Sequence, residues 1–217
     1  MLRLLIGNRA YSSWSRLGWL AAKQSGLAFE EVFLPLYEAG WEDRRTRPDL
    51  APSGGKLPIF WDGDTASWNA LGIIDHLDRL SGGTRFWPTD PAARAFAVSV
   101  AAEMQASFQA LRGVCPMNTR RHYPGFSLSP DADADGRRVE ALWTLGLSRI
   151  GGPWLAGPDF GAADILFTPV ASRFTTYAVA LSPAAEGLRQ RLMAHPFMAE
   201  WCAAAATEGH RLQRYEF

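Results

Sequence analysis

The spacing of apolar residues changes period along the chain, and the change divides it in two. Leu2 to Gly7 is a short apolar run ahead of a polar stretch, Asn8 to Ser13, which predicts a buried strand followed by a loop. From Trp14 to Gln24, Leu17, Leu20 and Ala21 recur at helical spacing, and Gly26 stands where a C-terminal cap would close the helix. Phe29 to Leu36 alternates weakly and reads as a second strand. These three elements predict a βαβ unit with a right-handed crossover. Tyr37 to Ser53 is polar, with Pro48 and Pro52, and a short irregular helix is expected near Trp41 to Arg47. Leu57 to Trp68 reads as strand, turn and strand about Asp62-Gly63-Asp64. Leu71, Ile74 and Leu77 then share one face of a helix from about Ala70 to Leu80.

Ser81-Gly82-Gly83-Thr84 and Trp87 to Pro91 read as a linker over 81–90, and beyond it only helical spacing occurs. Pro91 suits a first helical turn. Phe96, Val100, Met104, Phe108 and Leu111 predict one long amphipathic helix, and Ser127 to Gly136 predicts a loop. Val139, Leu142, Trp143, Gly146 and Ile150 mark the next helix. Asp164 to Tyr177 is almost wholly apolar and predicts a central buried helix, with two more over Leu188 to Met193 and Phe197 to Thr207. The expected units are therefore an α/β domain at 1–80, a linker at 81–90 and an all-helical domain at 91–217.

Hydrophobic residues make up 47% of the 217, enough for a sizeable core. Twenty-two basic residues balance 22 acidic ones, so no charge field recommends nucleic acid or an anionic membrane as partner. Cys115 and Cys202 are the only cysteines and form no CxxC pair. His76, His122, His195 and His210 lack metal-ligand spacing, so no metal is expected. No apolar run is long enough to span a bilayer and no signal-peptide pattern opens the chain, which leads to the expectation of a cytoplasmic protein. Pro58 gives up a backbone donor at a strand entrance and suits a turn with a cis bond. Such a bond would aim the Leu57 backbone outward, where an extended, peptide-like ligand could pair with it.

Three segments in order carry a resemblance: Tyr11-Ser12-Ser13-Trp14-Ser15, Gly55-Lys56-Leu57-Pro58, and Phe160-Gly161-Ala162-Ala163-Asp164-Ile165. Over essentially the whole chain they resemble the cytosolic glutathione transferase superfamily, in its serine-type, zeta- and theta-like bacterial form. The resemblance implies a thioredoxin-like glutathione-binding domain and an all-helical substrate domain. It also implies glutathione as co-substrate, a small electrophile as second substrate, and a homodimer.

It further implies that Ser12 activates the glutathione sulfur. A free thiol has a pKa near ~8.5, so a hydroxyl donor and the positive end of a helix would both favour the reactive thiolate. Capping of the helix by Ser12 or Ser13 is the alternative role. Ser13 and Ser15 stand in the same loop. Trp14 occupies a position where zeta-type relatives carry cysteine, and walls the pocket or packs in the core. Leu57-Pro58 would pair with the cysteinyl part of glutathione, and Lys56 either meets a glutathione carboxylate or is solvated.

Asn69-Ala70 departs from the family pattern, which has an acidic residue or Gln followed by Ser. The lost hydroxyl is worth about 1.5–3 kcal/mol, or roughly 10- to 150-fold in affinity. The backbone amides of Ala70 and Leu71 remain for an anion, with Asn69 as helix cap. Gly161 replaces the usual Ser or Thr before the buried helix, and Asp164 is expected to bond back to that loop. The second substrate is expected against Gln105, Phe108, Arg112, Met117, Arg120 and Arg121. These arginines either suit an anionic substrate or are surface charges. Two functions stay open: a glutathione-dependent transferase or isomerase, and a transferase-fold protein with a decayed glutathione site that binds small molecules or isomerises or cyclises them without glutathione.

Overall fold

The computed structural model describes residues 1–216. Strand β1 (Leu2–Ile6) lies inside a four-stranded sheet of order β2-β1-β3-β4. It pairs in parallel with β2 (Glu30–Phe33) and antiparallel with β3 (Ile59–Asp62), which pairs antiparallel with β4 (Thr65–Trp68). The parallel pair is joined by helix α1 (Ser13–Ser25), and helix α2 (Ala70–Leu80) follows β4. Alternation along β1 sorts its side chains. Leu4 and Ile6 join Phe60, Leu17 and Ile74 in the large core, while Leu5 joins Ile59 and Leu50 on the other face. A sheet covered on both faces accounts for the continuous apolar stretch Leu4-Leu5-Ile6 that follows Arg3 in β1. Gly26 closes α1 in the left-handed conformation (φ 71°), its N–H donating to the Lys23 carbonyl. The Leu57–Pro58 peptide bond is cis. A 3₁₀ turn at Trp41–Arg45 stands where the short irregular helix was expected.

The second half holds helices α3 (Pro91–Ala106), α4 (Gln109–Val114), α5 (Pro130–Arg149), α6 (Ala162–Thr176), α7 (Pro183–Ala194) and α8 (Pro196–Thr207). Asp90 caps α3 by accepting from the Ala93 N–H, with Pro91 in the first turn. Helix α6 is buried almost throughout and packs against α1, α3 and α7, so it ties the two halves together.

Two expectations need correction. The single long helix through Phe96 to Leu111 is two helices, α3 and α4, broken at Ser107 and Phe108. Phe108 takes a positive φ of 64° and buries its ring beside Phe167, while the Asp135 carboxylate accepts the Leu111 N–H at 3.0 Å. Both helices face one core, so the apolar spacing runs on through the break. The loop expected over Ser127 to Gly136 is largely helix: α5 begins at Pro130, with the Ser129 hydroxyl accepting from the Ala132 N–H. The acidic run Asp131 and Asp133 forms its solvated first turn, where negative charge is favoured. Among the described residues no helix is long and apolar enough to cross a membrane.

Candidate functional site

The turn that leaves β1 builds one wall of the site. The Asn8 carbonyl accepts the N–H groups of Tyr11 (3.2 Å) and Ser12 (2.8 Å), which reverses the chain into α1. Asn8 is fully buried. Its side chain accepts from the Leu36 N–H (2.8 Å) and donates to Glu208 (3.1 Å), fastening this turn to the loop after β2 and to the C-terminal segment. Ser12 caps α1: its hydroxyl accepts the Ser15 N–H at 3.1 Å. Its oxygen also lies 2.8 Å from the Ser15 hydroxyl oxygen. The capping role weighed from the sequence is therefore present, and it leaves the Ser12 hydroxyl half-exposed at the helix N-terminus.

The opposite wall is the segment before β3. Pro58 lies against α1 at Gly18, where a Cβ would come within 2.8 Å of the Pro58 ring. Only a residue without a side chain lets the helix approach this closely. Lys56 is exposed. Leu57 is half-buried, and neither its N–H nor its C=O meets a partner among the described residues. An unpaired extended backbone is an edge to which a peptide-like ligand can hydrogen-bond.

Between these walls lies a cavity of about 640 Å³ lined by Ser12, Trp14, Lys56, Leu57, Pro58 and Asn69, with Tyr37, Trp41, Arg44 and Trp68 closing its rim. Ser12, Trp14, Leu36 and Tyr37 also line a second cavity of about 400 Å³, which adds Ser13, Arg112, Met117, Arg173 and Tyr215. Ser12 thus stands where the two spaces meet. Asn69 adopts a positive φ of 69° and caps α2, its side-chain amide oxygen accepting the Leu71 N–H at 3.2 Å. Gln105 reaches the same N–H from α3, with its oxygen at 3.4 Å. Gln105 therefore sits at the α2 N-terminus rather than in the second cavity. Ala70, expected at the ligand, is buried and lines neither cavity.

The remaining sequence candidates separate. Arg112 donates to the carbonyls of Met104 and Gln105, closing the end of α3, and its guanidinium lies 5.2 Å from the Trp14 ring. Burial lowers its pKa. Met117 lines the second cavity although little of it is exposed, and Phe108 belongs to the core. Arg120 faces the C-terminal segment instead: it donates to the carbonyls of Ala205, Glu208 and His210 and to the Tyr11 hydroxyl. Arg121 pairs with Glu216. Asp164 accepts the N–H groups of Leu155 (2.9 Å) and Gly161 (3.0 Å), bonding back to the loop before α6; its burial pushes its pKa up to about 7. Burial likewise pushes the Cys115 thiol up to about 11 and keeps it inert.

Sequence reading missed Tyr37, Trp41, Trp68, Tyr215 and Arg173. Arg173 gave the clearest signal: a cation inside the almost wholly apolar segment predicted as a buried helix needs a reason to be there. It is buried, donates to the carbonyls of Cys115 and Pro169, and has no carboxylate partner among the described residues. Its pKa falls to about 10, first from burial and then from the nearby Arg112 charge. Among the described residues no group of His, Cys, Asp and Glu could hold a metal ion.

Residues 11–80 match the family described as Glutathione S-transferase, N-terminal domain. No curated protein matches the chain. Its fold is similar to a glutathione transferase homolog from Burkholderia gl BGR1 with bound glutathione (17% identity, 95% of this chain and 99% of that one, TM-score 0.70). It is also similar to the theta class glutathione S-transferase of Xanthomonas axonopodis pv. citri with glutathione bound (17%, 93% and 96%, 0.67) and to human glutathione-S-transferase T1-1 in its apo form (20%, 100% and 92%, 0.67). At such identities the solved structures speak to the fold. Residues 11–80 are thus similar to a glutathione transferase N-terminal domain, and the fold as a whole is the one that these transferases share.

Proposed function

We propose that the protein is a serine-type transferase that binds glutathione in the larger cavity and activates its sulfur with Ser12. One observation carries this reading: the Ser12 hydroxyl stands at the junction of two cavities, across from the unpaired Leu57 backbone. The family description over residues 11–80, and the bound glutathione in two structurally similar proteins, support the choice of ligand. Glutathione would lie extended along Leu57, with its sulfur beside Ser12 at the positive end of α1. A donor and a helix N-terminus together stabilise the thiolate, and the thiol proton leaves to solvent. The thiolate then forms a bond to an electrophilic carbon in the second cavity, where a leaving group departs with its electron pair or a conjugated double bond takes up a proton. Reversal of the addition after rotation is isomerisation.

The second substrate is a small electrophile. Arg112, which feels the Asp135 charge without forming an ion pair with it, and Arg173, without an ion pair among the described residues, favour one with an anionic group, and Trp14, Tyr37 and Tyr215 favour a planar one. Trp68, Leu80 and Val98 remain exposed on β4, α2 and α3, and they fit association as a cytoplasmic homodimer, which size-exclusion chromatography with light scattering measures.

A second reading rests on Leu71. Its N–H already has two acceptors within the chain, Asn69 and Gln105, so the anion seat at α2 is partly self-occupied. This favours a transferase fold whose glutathione site has decayed, acting on small molecules without it. Retention on immobilised glutathione separates the two readings. The transferase reading expects retention, and conjugating activity that falls when Ser12→Ala is made. No retention at millimolar glutathione refutes it.

A further inference from the structure

Ser15 lies one helical turn beyond Ser12, is fully buried and lines neither of these two cavities. A hydroxyl has one proton to donate and two lone pairs to accept with. The Ser15 oxygen accepts the Gly7 N–H at 2.9 Å, and its other polar neighbour is the Ser12 oxygen at 2.8 Å. Gly7 N–H is itself a donor, so among the described residues the Ser15 proton has a single acceptor within reach, the Ser12 oxygen. Were Ser12 to donate to Ser15 instead, the Ser15 proton would be buried without an acceptor, which costs more than the hydrogen bond returns. The Ser12 oxygen then accepts twice, from the Ser15 N–H at 3.1 Å and from the Ser15 hydroxyl. Both its lone pairs are taken. Its own proton is left to point into the space where the cavities meet.

We infer that Ser15 is a positioning residue that makes Ser12 a one-way donor toward the ligand atom in front of it. The inference rests on the glutathione reading above, because that ligand atom is the sulfur. The chain Gly7 N–H to Ser15 to Ser12 runs in one direction, from the end of β1 to the cavity. Each link polarises the next, so the last donor is stronger than a free serine. A hydroxyl so arranged stabilises a thiolate and cannot take the thiol proton, since it has no lone pair left to receive it.

The test is the pH dependence of kcat/KM for glutathione conjugation in Ser12→Ala, Ser15→Ala and the double variant, with binding of S-methylglutathione measured by calorimetry on each. Loss of the donor in Ser12→Ala should lower kcat/KM at neutral pH roughly 10- to 150-fold and raise the pKa that governs the profile. Ser15→Ala should move the profile the same way by roughly 2- to 12-fold, the worth of an ordinary hydrogen bond, without changing S-methylglutathione affinity. The double variant should be no worse than Ser12→Ala, because Ser15 acts only through Ser12. Ser15→Cys, which keeps the volume and weakens the donor, should behave as Ser15→Ala and serves if the alanine variant does not fold. Losses that multiply in the double variant, or an unmoved pH profile in both Ser15 variants while S-methylglutathione binds normally, overturn the inference. Failure of the unaltered protein to bind S-methylglutathione overturns the glutathione reading itself, and the inference falls with it.

Discussion

Gly18→Ala sets two calculable effects against each other. Alanine in place of glycine inside α1 gains about 0.8–1 kcal/mol of helix propensity. The added Cβ would stand 2.8 Å from two carbons of Pro58, whereas ordinary contact begins at 3.4 Å. Relief therefore needs a shift of about 0.6 Å, and the neighbour is a ring locked into the backbone rather than a flexible side chain. Overpacking of this kind costs about 1–3 kcal/mol, so the net change runs from near zero to a loss of about 2 kcal/mol. The larger consequence falls on the site. Leu57 precedes Pro58 and moves with it, and a 0.6 Å displacement takes a hydrogen bond of about 2.9 Å to about 3.5 Å, where little of it remains. Each lost backbone bond to the ligand weakens binding roughly 2- to 12-fold. Urea unfolding and calorimetric titration with S-methylglutathione read the two effects on one sample. A protein that gains the full helix propensity and binds unchanged would refute the claim that this glycine sets the position of Leu57.

For Asp164, the folded pKa is raised to about 7 by burial, so the folded state holds the proton more tightly than the unfolded chain. Its contribution is therefore most favourable below about pH 4 and declines as pH rises toward 7; chemical denaturation of the protein and of Asp164→Asn across that range should show this slope in the first and not in the second. Arg120→Met removes donors from the carbonyls of Ala205, Glu208 and His210 and should destabilise the protein by about 2–4 kcal/mol. The same variant should expose residues 208–216 to limited proteolysis, followed by mass spectrometry.

Where side-chain periodicity is set by burial, the chain could be read directly. Strand β1, α1 with its Gly26 cap, α2 and the buried α6 all lie on the segments their apolar spacing marks. The failures came where a local rule was overridden. The spacing through Phe96 to Leu111 is the same in one helix or in two that face one core, so it carried no trace of the break at Phe108. The start of α5 was hidden by acidic residues, although Ser129-Pro130 is a cap followed by a first-turn proline. Ser12, Leu57 and Asn69, which line one cavity, could be singled out in the sequence because each sits at the edge of a regular element. Tyr37, Trp41 and Tyr215 come from loops and the C-terminal segment, whose position depends on long-range ties such as Asn8 to Glu208 that no local pattern encodes. Arg120 and Arg112 look alike in the sequence. The first faces backbone carbonyls of the C-terminal segment, and the second the aromatic ring of Trp14.

The most direct test of a Ser12-centred glutathione site is calorimetric titration of the protein and of Ser12→Ala with glutathione at neutral pH, in buffers of different ionisation enthalpy. This reports both binding and the protons released when the thiol ionises. The predicted result is saturable binding at millimolar glutathione by both proteins, with proton release in the unaltered protein that falls in Ser12→Ala. No binding heat, or equal proton release from the two proteins, would contradict it.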